Sequence, residues 1–136
     1  MNDCLFCKII AGKIPSSKVY EDEQCYAFLD INPVNIGHTL LVPKTHSENL
    51  YTVTDEDIAH MAIVLKKLSI AIKQAVKADG INIEMNNEPL AGQLIFHTHL
   101  HIVPRFEGDG FIHWKGARGY HDNEVSKVAE EISKML

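Results

Sequence analysis

Two patterns of apolar residues run along this chain, and together they predict one long helix among several short strands. Ile58, Met61, Leu65, Leu68 and Ile72 recur at intervals of three or four residues, which is the period of an amphipathic helix. Shorter runs on both sides of this stretch are continuously apolar or alternate, as strands do. Five strands with mostly short connections, split by one long helix, indicate an α+β fold with a five-stranded antiparallel sheet.

Capping and turn residues set the bounds of these elements. The long helix is predicted to begin at Thr54, which has Asp57 three residues further on in a capping-box-like arrangement, and to end at Gly80. Short terminal helices are predicted over residues 4–11 and after Asp122. The predicted strands cover residues 17–21, 24–29, 38–42, 81–85 and 94–103.

Composition narrows the class of protein. The chain has 136 residues, enough for a single domain over residues 1–136 but too few for two good cores. Apolar residues make up 46% of the chain and charged residues 23%, as is ordinary for a soluble globular protein. The net charge is −5 and no cluster of lysines and arginines stands out, so we expect neither nucleic acid nor a membrane surface as partner.

The first residues give an expectation about location. They carry neither a basic segment nor a long apolar stretch, so no signal peptide is expected, and no run of residues has the length of a membrane span. We therefore expect a cytoplasmic protein. Its three cysteines should stay reduced there.

Three histidines stand at every second position of residues 97–103, whose sequence is HTHLHIV. In an extended strand, which Pro104 is expected to close, all three share one face. Buried imidazoles each need a hydrogen-bond partner, so three together make a poor core. With a fourth histidine, His38, at the start of another extended segment, the pattern predicts a chemical role.

Two mechanisms suit such a row of imidazoles, and the three histidines alone do not decide between them. Histidines from two strands can hold a catalytic zinc ion with an open position, where a metal-bound hydroxide acts as the nucleophile. Alternatively, one neutral imidazole attacks an electrophile while its neighbours hold it in the required tautomer.

The surrounding motifs resemble those of the histidine-triad (HIT) family of nucleotide hydrolases and transferases. Residues 97–103 match its signature His-φ-His-φ-His-φ-φ, where φ is apolar, except that Thr98 replaces the first apolar residue. Residues 33–38, Pro-x-x-x-Gly-His, and residues 42–46 resemble the histidine block upstream of the triad. The resemblance covers nearly the whole chain and implies a single HIT domain with the HIT-like fold.

By this resemblance, His99 is the nucleophile that attacks the α-phosphorus of a nucleoside phosphoramidate or a dinucleoside polyphosphate. The resulting nucleotidyl-histidine is hydrolysed by water. His101 and His38 are expected to orient the imidazole of His99 through hydrogen bonds relayed by backbone carbonyls. Gln93 is expected to donate a hydrogen bond to a phosphate oxygen or to the leaving group. Leu94 stands where some relatives carry serine or threonine, so a nucleotide-binding regulator with little turnover stays open as an alternative.

The resemblance also implies that the ligand is a purine nucleotide or a nucleotide conjugate. Asp30 is expected to accept hydrogen bonds from the ribose hydroxyls, while Phe6, Leu29 and Ile31 form an apolar slot for the base. Ordinary core packing explains each of these apolar residues equally well. The predicted nucleotide-binding residues are Phe6, Leu29, Asp30, Ile31, Asn86, Gln93, His99 and His101.

The pair Cys4 and Cys7 predicts half of a metal site. Nothing around it has the strand–helix–strand pattern of a thioredoxin-like redox motif. His46 and His97 are the candidates for the other two ligands, an arrangement that some bacterial HIT proteins resemble. Because all four positions would be filled by protein, the predicted zinc ion is structural. Cys25, in a predicted strand, is expected to be simply buried.

The predicted helix and strands also bear on assembly. The long helix and the fourth strand supply more apolar surface than one sheet needs, and HIT proteins are typically two-fold dimers, so we expect a homodimer. Met61, Leu65 and Leu68 are predicted to lie near its axis. The glycine-rich segment 108–119, which carries Trp114, is predicted either to cover the site or to cross the dimer interface.

Overall fold

A computed structural model describes residues 3–116 and 118–136 of the chain. The helices are α1 (Leu5–Ile10), α2 (Asp55–Val76) and α3 (Glu124–Lys134), and the strands are β1 (Lys18–Glu21), β2 (Cys25–Leu29), β3 (Thr39–Pro43), β4 (Gly80–Glu84) and β5 (Leu100–Arg105). All neighbouring strands are antiparallel, in the spatial order β1–β2–β3–β5–β4. The predicted α+β fold with one five-stranded sheet is confirmed. No helix in the described ranges has the length and hydropathy needed to span a membrane.

Each face of the sheet packs against a different helix, because successive strand residues point to opposite sides. On one face, α2 packs Met61 and Leu68 against Leu41 of β3 and Ile102 of β5. On the other face, α1 packs against the alternate residues of the central strands, such as Phe28. α1 is only six residues long, so it covers part of its face and leaves the remainder for a pocket.

The last strand differs from the prediction at both ends. β5 begins at Leu100, not at residue 94, and it continues through the buried Pro104 to Arg105. Its partner β3 ends at Pro43, which has no N–H to extend the ladder, and the N–H of Thr98 instead donates to the carbonyl of Ser47 at 2.7 Å. His97 and His99 therefore lie in an irregular segment just before the strand.

The long helix begins as predicted but ends earlier. The hydroxyl of Thr54 accepts a hydrogen bond from the N–H of Asp57 at 3.1 Å, which caps the first turn. The helix ends at Val76 because Lys77 adopts a left-handed conformation, with φ of 55°, in the place where glycine is usual. Gly80, the predicted end of the helix, is the first residue of β4.

The helix residues predicted to lie near a dimer axis have other surroundings. Met61 and Leu68 are buried against the sheet within this chain, and Leu65 packs at the edge of the same core. The buried residues of this 22-residue helix recur at intervals of three or four and form a single stripe, which faces the sheet of the same chain. The predicted positions of Met61 and Leu68 at an interface are therefore wrong.

Asp22 connects the β1–β2 turn to α2, and we expect its replacement by asparagine to destabilise the fold by about 2 kcal/mol. Its carboxylate accepts hydrogen bonds from His60 Nε2 at 2.7 Å, from Tyr20 Oη and from the N–H groups of Gln24 and Cys25. Burial alone would raise the pKa of Asp22, but these bonds hold it well below its usual range. Denaturant unfolding of the Asp22→Asn variant measures the loss.

The lowered pKa of Asp22 also fixes the pH dependence of this contribution. The stabilisation is complete above the pKa of the unfolded state, about 4, and declines as the pH falls towards the folded-state value. Asp22→Asn should therefore flatten the acid side of the stability profile, whereas Glu23→Gln, an exposed neighbour, should leave that side unchanged. An acid limb of equal slope in the wild type and the Asp22→Asn variant would contradict this account.

Candidate active site

A pocket of about 530 Å³ opens on the α1 face of the sheet. Its walls come from α1, from the loop after β2 and from the segment before β5. Most of its lining is apolar and a few polar groups converge in it, as is typical of a small-molecule site. Seven of the eight predicted nucleotide-binding residues line it, namely Phe6, Leu29, Asp30, Ile31, Asn86, His99 and His101.

The backbone holds His99 in one tautomer. Its Nδ1–H donates to the carbonyl oxygen of His97 at 2.6 Å, and because a carbonyl only accepts, the proton of the ring is assigned to Nδ1. Nε2 therefore keeps a free lone pair. The ring of Phe6 packs edge-on against the buried imidazole, with the centroids 5.2 Å apart. A fixed, neutral imidazole with one free nitrogen can act as a nucleophile.

His101 is fixed in the other tautomer, by His38. The N–H of Val34 donates to Nδ1 of His38 at 3.1 Å, so the proton of His38 is assigned to Nε2. That Nε2–H donates to Nδ1 of His101 at 2.9 Å, and the proton of His101 is then on its own Nε2. His101 can thus donate a hydrogen bond where His99 offers a lone pair.

The expected relay through backbone carbonyls applies to only part of this network. His99 does use a carbonyl, that of His97. His101 instead contacts the ring of His38 directly, because β3 and β5 are neighbours and place His101 opposite Leu40, two residues after His38. The direct contact lets His38 set the tautomer of His101.

Burial keeps these three imidazoles neutral. Removal from water disfavours the charged ring and lowers the pKa values of His38, His99 and His101. The carboxylate of Asp30, 3.8 Å from Nε2 of His38, acts in the opposite direction without outweighing burial. All three rings are therefore uncharged at neutral pH, as the assigned tautomers require.

Two residues that the sequence analysis missed, Asn35 and Asp109, hold the loop that carries His38. The amide of Asn35 donates to the carbonyl of Pro104 at 2.9 Å and to the carboxylate of Asp109 at 2.8 Å. Asp109 also accepts from Arg105, so the end of β5 and the loop are tied together. No periodicity links Asn35 with a residue so distant in sequence, and only the folded chain brings them together.

The turn before His38 requires glycine. Gly37 has φ of 85°, and a Cβ at this position would lie 2.9 Å from a side-chain carbon of Val76 on α2. The N–H of His38 then donates to the carbonyl of Asn35 at 3.1 Å and closes the turn. The Gly-His pair in the sequence therefore reflects a local steric demand that places His38 beside His101.

Gln93 is turned away from the pocket, contrary to its predicted role. Its Nε2 donates to the carbonyls of Glu48 at 2.6 Å and Ile95 at 3.0 Å, and its Oε1 accepts from the N–H of Glu88. Both amide hydrogens are used, so none is left for a phosphate oxygen or a leaving group. The buried amide instead satisfies backbone groups outside the sheet, in the loop after β3 and in the connection between β4 and β5.

The mouth of the pocket is apolar on the side of residue 94. Leu94 lines the pocket while 85% of the residue is exposed to solvent.

No described residue of the segment 108–119 lines the pocket, and Trp114 is almost fully exposed. The segment therefore does not cover the site within one chain, which was the first of its two predicted positions. Its second predicted position, at a dimer interface, stays a prediction.

The four predicted metal ligands come together beside the pocket. Cys4 and Cys7 lie at α1, His46 follows β3, and His97 precedes β5; their ligand atoms all lie within 4.8 Å of one another. Nδ1 of His97 is 3.4 Å from Sγ of Cys4 and 3.6 Å from Sγ of Cys7, and Nδ1 of His46 is 3.4 Å from Sγ of Cys7. Ordinary bond lengths and tetrahedral angles around zinc separate N and S ligands by about 3.6 Å. This group can therefore hold a metal ion.

The chemistry of these side chains also suits a metal ion. Nε2–H of His97 donates to the carbonyl of Pro43 at 2.8 Å, which leaves the Nδ1 lone pair towards the thiols. Burial lowers the pKa of His97 to about 4, so the ring stays neutral as a ligand must. Burial and the adjacent Cys4 raise the pKa of the Cys7 thiol, so that a nearby cation is needed to stabilise a pair of thiolates.

The three histidines of the triad do not converge on one metal position. Nδ1 of His97 faces the cysteines, while Nδ1 of His99 donates to a carbonyl. Asp30, His38 and His101 do form another group of potential ligands that includes one triad histidine. Its two imidazole nitrogens, however, are hydrogen-bonded to each other at 2.9 Å. The geometry thus favours an imidazole nucleophile over a metal-bound hydroxide.

The chain is similar to known proteins in both sequence and structure. Residues 11–108 match the HIT domain. The chain is 47% identical over 137 residues to “Protein hit” of Bacillus subtilis, an alignment that covers 98% of this chain and 94% of that protein. It superposes with a TM-score of 0.94 on the crystal structure of SMU.412c from Streptococcus mutans UA159, at 48% identity, covering 99% of this chain and 86% of the other.

Other similar proteins carry names that state an activity or a bound metal. The chain is 46% identical to Adenylylsulfatase HINT3 of Arabidopsis thaliana, over 99% of this chain and 70% of that protein. It is 38% identical to Adenosine 5'-monophosphoramidase HNT1 of Candida albicans, over 98% and 91%. A Zn-bound histidine triad family protein from Mycobacterium smegmatis has a TM-score of 0.77 at 36% identity, with 99% of both chains covered.

Proposed function

The chain belongs to the HIT domain family, and we propose that it hydrolyses nucleoside phosphoramidates or dinucleoside polyphosphates through a nucleotidyl intermediate on His99. The observation that carries the proposal is the 2.6 Å hydrogen bond from Nδ1–H of His99 to the carbonyl of His97, which leaves Nε2 free inside the pocket. Two relatives named for adenylyl substrates, an adenylylsulfatase and an adenosine 5'-monophosphoramidase, support an adenine nucleotide as the ligand.

In the proposed first step, Nε2 of His99 attacks the α-phosphorus and forms a P–N bond as the bond from phosphorus to the leaving group breaks. The leaving group departs with the bonding electron pair and takes a proton from solvent at the mouth of the pocket. The nucleotidylated imidazole develops positive charge, which the carbonyl of His97 stabilises through Nδ1–H. Nε2–H of His101 donates to a phosphoryl oxygen.

In the second step, water attacks the same phosphorus, loses a proton to solvent and displaces the imidazole. The products are the nucleoside monophosphate and the free enzyme. We propose that Asp30 accepts hydrogen bonds from the ribose, that Phe6, Leu29 and Ile31 enclose a purine base, and that Asn86 completes the wall. Gln93 has no direct part in this scheme, because its amide is already used by the backbone.

We also propose that Cys4, Cys7, His46 and His97 hold a structural zinc ion. With four protein ligands the ion has no open position for water, so its contribution is to crosslink α1 to the end of β3 and the start of β5. Metal-binding thiols must stay reduced, which supports a cytoplasmic location.

A trapping experiment tests the proposed intermediate. The protein is mixed with adenosine 5′-phosphoramidate labelled at phosphorus, quenched in alkali to preserve P–N bonds, digested and mapped. The label is expected on the peptide that carries His99. Turnover without a labelled histidine would favour a metal-bound hydroxide, and binding of AMP without turnover or label would identify a nucleotide-binding regulator.

The proposed assembly is a homodimer, for which we expect a light-scattering mass near twice 15.3 kDa. The apolar surface that α2 does not bury lies at Ile63 and Ile70, which are 71% and 52% exposed and stand two turns apart on one side of the helix. β4 is an edge strand of the sheet, so its outer side is open to pairing. A second copy of the chain can cover both features.

Substitution of the exposed isoleucines separates assembly from folding. Ile63→Glu/Ile70→Glu should yield a folded monomer, because neither side chain lies in the core. Leu65→Glu is a harsher test, since Leu65 packs at the edge of the core and its replacement should give a monomer or unfolded protein. A stable wild-type monomer at micromolar concentration would overturn the dimer proposal.

A further inference from the structure

We infer that the metal site and the nucleotide pocket are energetically coupled through α1 and Phe6, so that a bound nucleotide strengthens metal binding and a bound metal ion strengthens nucleotide binding. The inference rests on the proposed nucleotide-binding function.

The first observation is that α1 belongs to both sites. Cys4 caps the helix, its Sγ accepting from the N–H of Cys7 at 3.4 Å, so both thiols are part of the helix's first turn. Leu5, Phe6 and Ile9, from the same six residues, line the pocket. A helix this short has little stability of its own, so its position depends on the bonds and contacts that it makes with the rest of the protein.

The second observation is the position of Phe6, which stands between the two thiol ligands in sequence. Its ring packs edge-on against His97, a metal ligand, with the centroids 5.9 Å apart, and against His99, the proposed nucleophile, at 5.2 Å. It also contacts Phe28 in the core at 5.5 Å. Any shift of α1 relative to the sheet must therefore disturb the ligand, the nucleophile and the pocket wall together.

The third observation is that His97 itself is shared. Its ring offers Nδ1 to the metal site, and its carbonyl oxygen fixes the tautomer of His99. The other ring nitrogen is anchored on the carbonyl of Pro43. A metal ion bound to the ring holds the backbone that His99 uses as its acceptor, so the metal site has a second route to the active site.

These contacts determine the sign of the coupling. A metal ion holds α1 in the place where Phe6 and its neighbours form the wall of the pocket, so a nucleotide need not order the helix when it binds. Linkage is reciprocal, and the factor by which zinc raises nucleotide affinity must equal the factor by which nucleotide raises zinc affinity. For such contacting sites we expect about a tenfold effect, within the range usual for coupled sites.

The experiment measures the effect of AMP on zinc affinity and the effect of zinc on AMP affinity. Zinc affinity is obtained by competition with a chromophoric chelator, with and without saturating AMP. AMP affinity is obtained by calorimetry on zinc-loaded and zinc-depleted protein. We expect the same factor, about ten, in both arms. Circular dichroism of the zinc-depleted protein must retain the signal of the folded sheet, since a coupling that merely reflects global unfolding would overturn the inference.

Two variants test the route. Phe6→Leu keeps all four metal ligands and an apolar side chain but loses the ring contacts, so it should still bind zinc while the coupling factor falls clearly, to the part that passes through His97. Ile31→Ala is the matched control, because Ile31 lines the pocket from outside α1. It should weaken AMP binding and leave the coupling factor unchanged. Full coupling in the Phe6→Leu variant would overturn the assigned route.

The outcomes separate this inference from the function on which it rests. If AMP binds the zinc-loaded protein but zinc affinity is the same with and without AMP, the coupling is refuted and the nucleotide site stands. If AMP fails to bind the zinc-loaded protein at all, the nucleotide site itself is refuted, and the inference falls with it.

Discussion

Replacing His99 with alanine should lower the rate of adenosine 5′-phosphoramidate hydrolysis by about four orders of magnitude or more, the scale seen when a nucleophile is removed from an enzyme. The imidazole forms the bond to phosphorus in the proposed mechanism, and no other described group in the pocket has an equally prepared lone pair. Nδ1 of His101 already accepts from His38. Steady-state assays and the trapping experiment on the same preparation measure both consequences, loss of turnover and loss of label.

The control for this variant is His121→Ala, which removes an exposed histidine near the start of α3. It should hydrolyse the substrate at the wild-type rate. Binding of AMP to the His99→Ala variant should survive, because the proposed contacts to base and ribose do not involve this ring. Turnover within tenfold of the wild type, or a phosphorus label that still appears on the His99→Ala protein, would remove His99 from the mechanism.

His38 acts on the reaction only through His101, so its replacement should lower the rate of hydrolysis less than the replacement of His99 does. It does not line the pocket itself and is not proposed to contact the substrate, but its Nε2–H donates to His101, a lining residue, and sets the tautomer of that ring. Without that donor, His101 can place its proton on either nitrogen and spends only part of the time with a donor towards the phosphate. His38 is therefore a positioning residue, and the N–H of Val34 that fixes its own tautomer belongs to the same chain of hydrogen bonds.

The alternation of residues 97–103 predicted the faces of the triad correctly, even though the strand was placed six residues too early. Leu100 and Ile102 enter the core beneath α2, and His99 and His101 line the pocket on the other side. An irregular segment that leads directly into a strand can keep the direction of its side chains while its backbone hydrogen bonds go elsewhere. Pro43, which cannot donate, is the physical reason for the difference.

Residue type alone could not assign Gln93. A glutamine close to a phosphate site in sequence can donate either to the ligand or to the backbone, and both choices look the same before the chain is folded. The carbonyls of Glu48 and Ile95 both lie outside the sheet and need donors, and Gln93 supplies them. The same limit applied to Met61 and Leu68, because a helix stripe that is apolar for its own sheet resembles one that is apolar for a partner.

The four candidate metal ligands could be named from the sequence because Cys-x-x-Cys spacing indicates half of a metal site and the resemblance to bacterial HIT proteins points to the two histidines. The folded chain brings the ligand atoms of Cys4, Cys7, His46 and His97 within 4.8 Å of one another, so the group can hold a metal ion. What the sequence could not give was the contact between this site and the pocket. That contact depends on where Phe6 and the carbonyl of His97 lie, and both positions follow from the packing of α1 on the sheet.

Removal of the two α1 thiols should cost the protein its metal ion and much of its thermal stability. Protein purified without chelator should contain about one zinc per chain, the stoichiometry of a closed four-ligand site. Cys4→Ser/Cys7→Ser should contain almost none, and its Tm should fall by on the order of 10 °C or more, because metal binding to the native state is lost. Elemental analysis and a thermal melt on the same sample measure both effects.

Cys25→Ala is the matched control for this loss of thiols. Cys25 is buried against the α2 core, and burial raises the pKa of its thiol to about 12, so the residue is inert. Its truncation should lower the Tm by a few degrees, about what a small cavity costs, and leave the zinc content intact. If Cys4→Ser/Cys7→Ser instead retained a full equivalent of zinc, the ion would have to lie among the triad histidines. His99 would then be a metal ligand, and a metal-bound hydroxide would replace it as the nucleophile.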